Sequence, residues 1–259
     1  MTRPLAAAAV LVALSGAAVA EEPATTASDW TGRVTLYGWF SGFEGDFFAR
    51  ERGVGTGVSL SKGDVLDRLE TGVFATAELR RGRVGAIVDA AHIALGSGED
   101  VVFPAPGVGP VPGRVSGDTT LTMVTLAGFY RAVEREGAAV DLYAGGRLVD
   151  ADLSLQAAVA GGGPGVSAEA GETWVDPIVG VRGTVTLTDR IALTGLADIG
   201  GFGAGSDLAV NLYAGASVRV AGRVSAEAGL RYLKIDYAAS RLAVDAELFG
   251  PIVGLSIGF

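Results

Sequence analysis

The sequence predicts an all-β fold, a single antiparallel transmembrane β-barrel of about ten strands, and eight or twelve strands also fit the pattern. Segments of about ten residues alternate apolar and polar side chains, and the connections between them alternate short and long. The mean hydropathy is positive (+0.40), yet no segment after the N-terminus is a continuous apolar run of helix-spanning length. The last observation excludes a helical membrane protein, whereas alternation dilutes apolar residues in this way in a membrane barrel.

The first twenty residues have the pattern of a cleavable signal peptide. Arg3 supplies positive charge, Leu5 to Leu14 are apolar, and Ala18-Val19-Ala20 is a small-x-small cleavage pattern. The apolar stretch is shorter than the roughly twenty residues of a membrane-spanning helix; an uncleaved anchor is the alternative. We expect residues 1–20 to be the signal peptide, 21–32 a periplasmic lead, and 33–259 an outer-membrane barrel.

Composition excludes several kinds of function. The chain contains no cysteine, so neither disulfides nor thiolate chemistry are available. Its net charge of −9 and its lack of a basic cluster argue against nucleic acid as a partner. No pattern predicts a cofactor or a metal site.

Ten segments show the two-residue period of a strand. In the eighth, Leu208, Val210 and Leu212 begin a wholly apolar face, and Asn211 and Tyr213 lie on the other. A soluble β-sandwich or lipocalin-like barrel would turn the apolar face inward, whereas a membrane barrel turns it to lipid. The segments are approximately 33–42, 70–80, 83–95, 119–131, 138–150, 173–187, 190–199, 207–220, 223–237 and 246–259.

The connections indicate the orientation. Short ones at 81–82, 133–137, 188–189 and 221–222 are typical of periplasmic turns, and longer ones of extracellular loops. Within the long loops we expect a short helical turn at Asp64–Asp67 and a mobile segment at Val101–Val115. The Gly-rich stretch Gly200–Ser206 lacks the helix and lysine of a phosphate loop, so we expect a tight turn with positive φ angles. The long loops are 43–69, 96–118, 151–172, 200–206 and 238–245.

The last strand ends on an aromatic residue. Phe249, Val253, Leu255, Ile257 and Phe259 share one face, opposite Gly250, Gly254, Ser256 and Gly258. An aromatic at this place suits the interfacial girdle of a membrane barrel. We expect Phe259 to be the membrane-assembly signal, with the barrel-assembly machinery as the partner of the C-terminal strand, and outer-membrane lipid and lipopolysaccharide as the surroundings.

Several stretches resemble a family of small bacterial outer-membrane barrels that is distantly similar to the outer membrane protein A and W types. The resemblance is strongest from Trp174 onward, and it implies barrel architecture without an associated reaction or ligand. It is carried by Asp64–Asp67, Trp174–Pro177, Asp198–Asp207, Gly229–Leu233 and Gly250–Phe259.

If the apolar faces meet lipid, the charged residues of the same strands point into the lumen. A barrel of this size is narrow and largely filled by side chains, and an unpaired buried charge is costly. We therefore prefer a network of paired charges that packs the lumen over a polar pathway for a small solute. The predicted network contains Glu78, Asp89, Asp141, Arg147, Asp176, Arg182, Asp198, Arg219, Glu227 and Arg231.

The sequence offers little support for catalysis. The chain has one histidine, His92, which shares parity with Val88 and Ala90 and so falls on the lipid or interfacial side. One histidine cannot serve a rim protease or lipid-modifying enzyme unless loop acids converge on it. The sequence predicts a non-enzymatic outer-membrane protein, structural or interacting with small solutes or ligands. A rim-active enzyme and a soluble periplasmic β-barrel binder are the alternatives.

Overall fold

The computed structural model describes residues 30–49, 54–60, 69–105, 109–159, 165–239 and 242–259. The predicted signal peptide, most of the lead and the turn at Asp64–Asp67 lie outside these residues. No helix in the described part of the chain is long and apolar enough to cross a membrane. The described strands are β1 Trp30–Trp39, β2 Gly42–Ala49, β3 Val54–Leu60, β4 Leu69–Arg81, β5 Val84–Ala105, β6 Gly109–Arg135, β7 Ala138–Val159, β8 Val166–Thr186, β9 Ile191–Gly201, β10 Leu208–Ala221, β11 Val224–Ala238 and β12 Leu242–Gly258.

Ten of these strands close into an antiparallel barrel, which confirms the predicted fold. β1 pairs with β4 on one side and with β12 on the other, so the ring runs from β1 through β4 to β12. β2 follows β1 after a break at Phe40–Ser41 and pairs with the first half of β12. β3 pairs with β2, so these two strands extend the wall beyond the ring without adding to the number of strands in the ring.

The prediction of long loops is wrong over much of their length, because the strands continue into these segments. The hairpin β5–β6 is paired as far as Ala105 and Gly109, across the segment expected to be mobile. β7 and β8 are paired through 151–157 and 166–172, and β2 and β3 occupy part of 43–69. Strands of 21 to 27 residues greatly exceed the roughly ten needed to cross a bilayer. The barrel therefore has a short-turn end and an opposite end with long projecting strands.

The inner and outer faces exchange their chemistry at one level of the barrel. On β7, Arg147 is buried inside and Leu148 is exposed outside, but two residues further the inner position is Val149 and the outer one is Asp150. On β11, Arg231 is inside and Leu230 outside, followed by Leu233 inside and Lys234 outside. The same alternate residues of each strand still point inward on both sides of this level. The change is therefore in the chemistry of the inner and outer residues. Between this level and the short turns the outer face is apolar, and on the projecting strands the outer face is polar.

The apolar outer band has the height of a membrane. On β12 it is bounded by the exposed rings of Phe249 and Phe259, ten residues apart. At about 3.3 Å per residue and a tilt of about 40°, this length spans about 25 Å along the barrel axis. That is the height of the apolar band in outer-membrane barrels. Trp30 and Tyr130 are also exposed at the short-turn end and Phe40 at the opposite end, completing two aromatic levels.

The projecting strands enclose an apolar core. The rings of Trp174 and Tyr237 stack with centroids 3.8 Å apart and join β8 to β11. The core is built from residues of β1, β4–β8, β11 and β12. Its buried members include Trp39, Phe74, Ala91, Ile93, Met123, Val149, Ala151, Leu153, Trp174, Leu233, Ile235, Tyr237, Val244, Ala246, Leu248 and Ile252.

Inner-face glycines make room for aromatic rings on neighbouring strands. Gly180 pairs with Tyr143, and a Cβ at Gly180 would overlap the Tyr143 ring and lie 2.7 Å from the carbonyl oxygen of Ala197. Gly85 stands in the same relation to Phe129. Such pairs fill the lumen while keeping the strands at their normal spacing.

We predict that Gly180→Val lowers the free energy of unfolding by about 1–3 kcal/mol, the usual cost of overpacking. Gly183→Val is the matched control, because Gly183 is on the outer face of the same strand and a Cβ added there would have no atom within 4 Å. Urea unfolding of both variants in micelles measures the difference. Equal destabilisation by the two substitutions would contradict the ring-against-glycine arrangement.

Candidate functional site

The centre of the lumen holds a layer of charges built around Arg147 and Asp198. Arg147 donates to Asp198 (2.8 Å) and to the hydroxyl of Thr125 (3.1 Å). Asp198 also accepts hydrogen bonds from Tyr143 (2.9 Å) and Asn211 (2.7 Å). Both charged side chains are 2% exposed, so each depends on these partners for the hydration it has lost.

Arg231 extends this layer to the opposite wall. It donates to Asn211 (3.0 Å), to the hydroxyl of Tyr37 (2.8 Å) and to Asp89 (3.1 Å). Asp89 accepts further hydrogen bonds from Tyr37 (2.8 Å) and Thr76 (2.7 Å). The Arg231 guanidinium also lies 5.1 Å from the centre of the Trp39 ring, beneath the apolar core. The connected network thus joins β7, β9, β10 and β11 to β1, β4 and β5.

A second layer lies nearer the short-turn end. Arg182 donates to both Glu78 and Asp141, with a distance of 2.6 Å to Asp141. Asp141 also accepts from Arg131 at 2.8 Å. Sequence reasoning missed Arg131, although its position two residues after the inner-facing Phe129 was a usable signal. Arg182 lies 5.0 Å from the centre of the Phe129 ring.

Three residues of the predicted network have other surroundings. Glu227 accepts from Ser256 (2.6 Å) and pairs with Arg33 (3.3 Å) near the short-turn end. Arg219 has inner parity but is exposed and forms no ion pair within the described residues, because it lies beside an irregularity where β10 approaches its turn. Asp176 is fully buried and has no arginine partner in the described part of the chain. The alternation along a strand predicts whether a side chain points inward or outward, but it does not predict the level of that side chain along the barrel axis.

Asp176 instead holds the connection between β9 and β10. It accepts hydrogen bonds from the backbone N–H of Ser206 (2.6 Å) and from the Ser206 hydroxyl (2.8 Å), which accepts in turn from Trp174 (2.8 Å). The connection has positive φ angles at Gly201 (88°), Phe202 (52°) and Gly203 (72°), as predicted for a tight glycine-rich turn. The Ser206 side chain is fully buried, and its hydroxyl lies between the Trp174 indole and the Asp176 carboxylate.

A cavity of about 480 Å³ occupies the lumen from the layer of Arg147 and Arg231 to the short turns, and the Arg182 layer lines its wall. Its wall reaches Gly137 and Thr186 at the short-turn end and stops inside at Arg147, Arg231 and Ile252. Beyond these residues lies the buried apolar core, which contains a second cavity of about 40 Å³. We call the larger cavity the vestibule; it is lined by arginine–carboxylate pairs, threonines and tyrosines.

The remaining candidate residues, His92 and Phe259, lie on the outer face of the barrel. His92 lies on the outer face between the buried residues Ala91 and Ile93, and its Nδ1 is 2.8 Å from the Thr122 hydroxyl. No group of three His, Cys, Asp or Glu side chains that could hold a metal ion occurs in the described residues. Phe259 is exposed on the outer face, and its backbone pairs with Gly32 through two hydrogen bonds of 2.9 and 3.0 Å.

Comparison with known proteins identifies the architecture. No family model and no curated protein matches the chain. The outer-membrane protease OmpT from Escherichia coli is similar in structure, with a TM-score of 0.56 and 12% identity over 92% of this chain and 99% of that one. This chain has the fold of an outer-membrane β-barrel.

Two further solved structures show weaker likeness. The attachment invasion locus protein Ail of Yersinia pestis is 14% identical, with a TM-score of 0.36 over 89% of this chain and 98% of that one. Neisserial surface protein A is 15% identical, with a TM-score of 0.34 over 90% and 98%. At these identities the likeness concerns the fold alone and transfers no activity.

We predict that Arg231→Leu lowers the free energy of unfolding by about 3–5 kcal/mol, because it leaves Asp89 buried without its cation. The double variant Arg231→Leu/Asp89→Leu should lose less than the single one, since it removes both charges. Thermal unfolding in micelles, followed by tryptophan fluorescence, measures both. A single variant with the midpoint of the unmodified protein would show that the pair contributes nothing.

Proposed function

We propose that this chain is a non-enzymatic protein of the outer membrane with a structural role and a closed lumen. The observation that carries the proposal is the exchange of inner and outer chemistry at one level of the barrel. A wall that is apolar outside and charged inside, over about 25 Å, suits a bilayer. The short-turn end then faces the periplasm and the projecting strands face outward.

The closed lumen is supported by two successive obstacles. The first is the charged layer at which the vestibule ends, where Arg147 and Arg231 each bond to a carboxylate on another strand. The second is the apolar core above it, where Trp39, Trp174 and Tyr237 are each at most 7% exposed. An ion would have to break paired charges and then enter an apolar region, and each step is costly.

The vestibule gives the closed barrel one place for a small solute. Its volume of about 480 Å³ falls within the range of small-molecule sites, roughly 300–1,000 Å³. A polar solute that enters from the short-turn end meets the charged layers and leaves by the same mouth.

The absence of catalysis is supported by the placement of His92. Its ring is on the outer face, where it meets Thr122 rather than an acid or a nucleophile. Glu78, Asp89 and Asp141 in the lumen are engaged by arginines, so these three carboxylates are not arranged as a free acid–base pair.

We predict that the purified protein, inserted in planar bilayers, produces no discrete channel openings. Heat-dependent gel mobility of the same sample verifies that the barrel has folded and inserted. Discrete openings in a folded sample would contradict the closed lumen.

We also predict that the protein hydrolyses neither peptides nor phospholipids, and that His92→Ala leaves this background unchanged. A fluorogenic peptide series and phospholipid vesicles provide the measurements. Hydrolysis by the unmodified protein that His92→Ala abolishes would establish the rim-active enzyme instead.

A further inference from the structure

Exposed arginines surround the short-turn end of the barrel. Each of the four short turns, or the strand that leads into it, contributes at least one of them. We call this set the arginine collar: Arg81, Arg83, Arg135, Arg190, Arg219 and Arg223, all exposed. The exposed acids in the same region are Glu134, Glu136 and Asp189, so the described part of this end is positively charged although the whole chain carries −9.

The other border of the apolar band has the opposite charge. Its outward positions on β7, β11 and β12 include Asp150, Asp152, Asp236, Asp245 and Glu247, together with Lys234. Lys234 is engaged by Glu247 (2.8 Å) and Asp245 (3.6 Å). Positive charge is therefore concentrated at one border of the band, which distinguishes the two membrane surfaces.

Most of the collar has no anionic partner in the described protein. Arg83, Arg135, Arg190, Arg219 and Arg223 form no ion pair within the described residues. Arg81 lies with its guanidinium 5.7 Å from the centre of the Trp30 ring. The lumen arginines, by contrast, are matched by carboxylates, so Arg83, Arg135, Arg190, Arg219 and Arg223 carry charge that no carboxylate of the described residues pairs with.

The collar lies at the level of lipid head groups. Trp30, Tyr130 and Phe259 are about half exposed or more and form the aromatic level of this end, where rings sit at the membrane interface. The turns that carry the arginines are just beyond it. Guanidinium groups bind phosphate oxygens through two parallel hydrogen bonds, which lysine cannot do, and the collar consists of arginine throughout.

We propose that the arginine collar binds the phosphodiester groups of anionic phospholipids in the leaflet at the short-turn end. The proposal rests on membrane insertion, as proposed above, and adds the identity of the lipid. Bound head groups would anchor this end of the barrel at a fixed depth and stabilise the folded state, since they contact the folded barrel alone.

The test compares vesicles of phosphatidylcholine with vesicles in which a third of the lipid is phosphatidylglycerol. We expect the anionic lipid to shift the unfolding equilibrium in favour of the folded protein by at least about tenfold, given about fivefold for each arginine near an anionic surface. The triple variant Arg83→Gln/Arg190→Gln/Arg223→Gln should lose most of this gain, and high salt should reduce it. Arg114→Gln, an exposed arginine on the projecting strands, is the matched control and should keep it.

The outcomes separate the two proposals. Insertion into both kinds of vesicle with equal stability would overturn the collar and leave the membrane protein intact. A gain that the triple variant keeps in full would also overturn the collar. Failure to insert into either kind of vesicle, judged by heat-dependent gel mobility, would overturn both proposals.

Discussion

The pairing of β1 with β12 is the constraint on which the rest of the structure depends. It runs from Arg33 opposite Gly258 to Trp39 opposite Ile252 and turns a sheet with two edges into a closed ring. In a bilayer every backbone N–H and C=O must find its partner within the protein, and an open edge would leave a row of them unpaired. Closure also separates an inside from an outside, so alternate residues of each strand meet different surroundings.

The narrow interior that closure creates explains the charge network. Side chains from opposite walls come within hydrogen-bonding distance, so Arg231 can reach Asp89 across 142 residues of sequence. A partly satisfied polar network is worse than an apolar one, since each unpaired charge keeps its full desolvation cost. The near-complete pairing of Arg147, Arg182 and Arg231 is therefore a condition for the ring to hold charges at all. The proposed closed lumen depends on the same pairing.

The sequence was sufficient for the features that depend on alternation alone. The two-residue period identifies ten wall strands and the side of the wall on which Asp89, His92 and Arg147 lie. It could not identify where strands end, because the glycines and prolines near Val101–Val115 suit an extended hairpin as well as a loop. Nor does parity give height, so Arg131, Asp176 and Arg219 could not be assigned to their layers. Those assignments depend on strand tilt and on register, which only the paired structure supplies.

Leu148 and Asp150 are successive outer residues of β7, and the change from apolar to charged shows that the same alternation suits two different surroundings. In the proposed membrane, lipid surrounds the band, so the apolar face points outward and the charges pair inside. Above it, water is outside, and the same strands bury Val149, Ala151 and Leu153 against the opposite wall. Moving the barrel along its axis would place Asp150 in lipid or Leu148 in water. In the proposed membrane orientation, the level of exchange therefore marks one border of the apolar band, and the aromatic residues at the short-turn end mark the other.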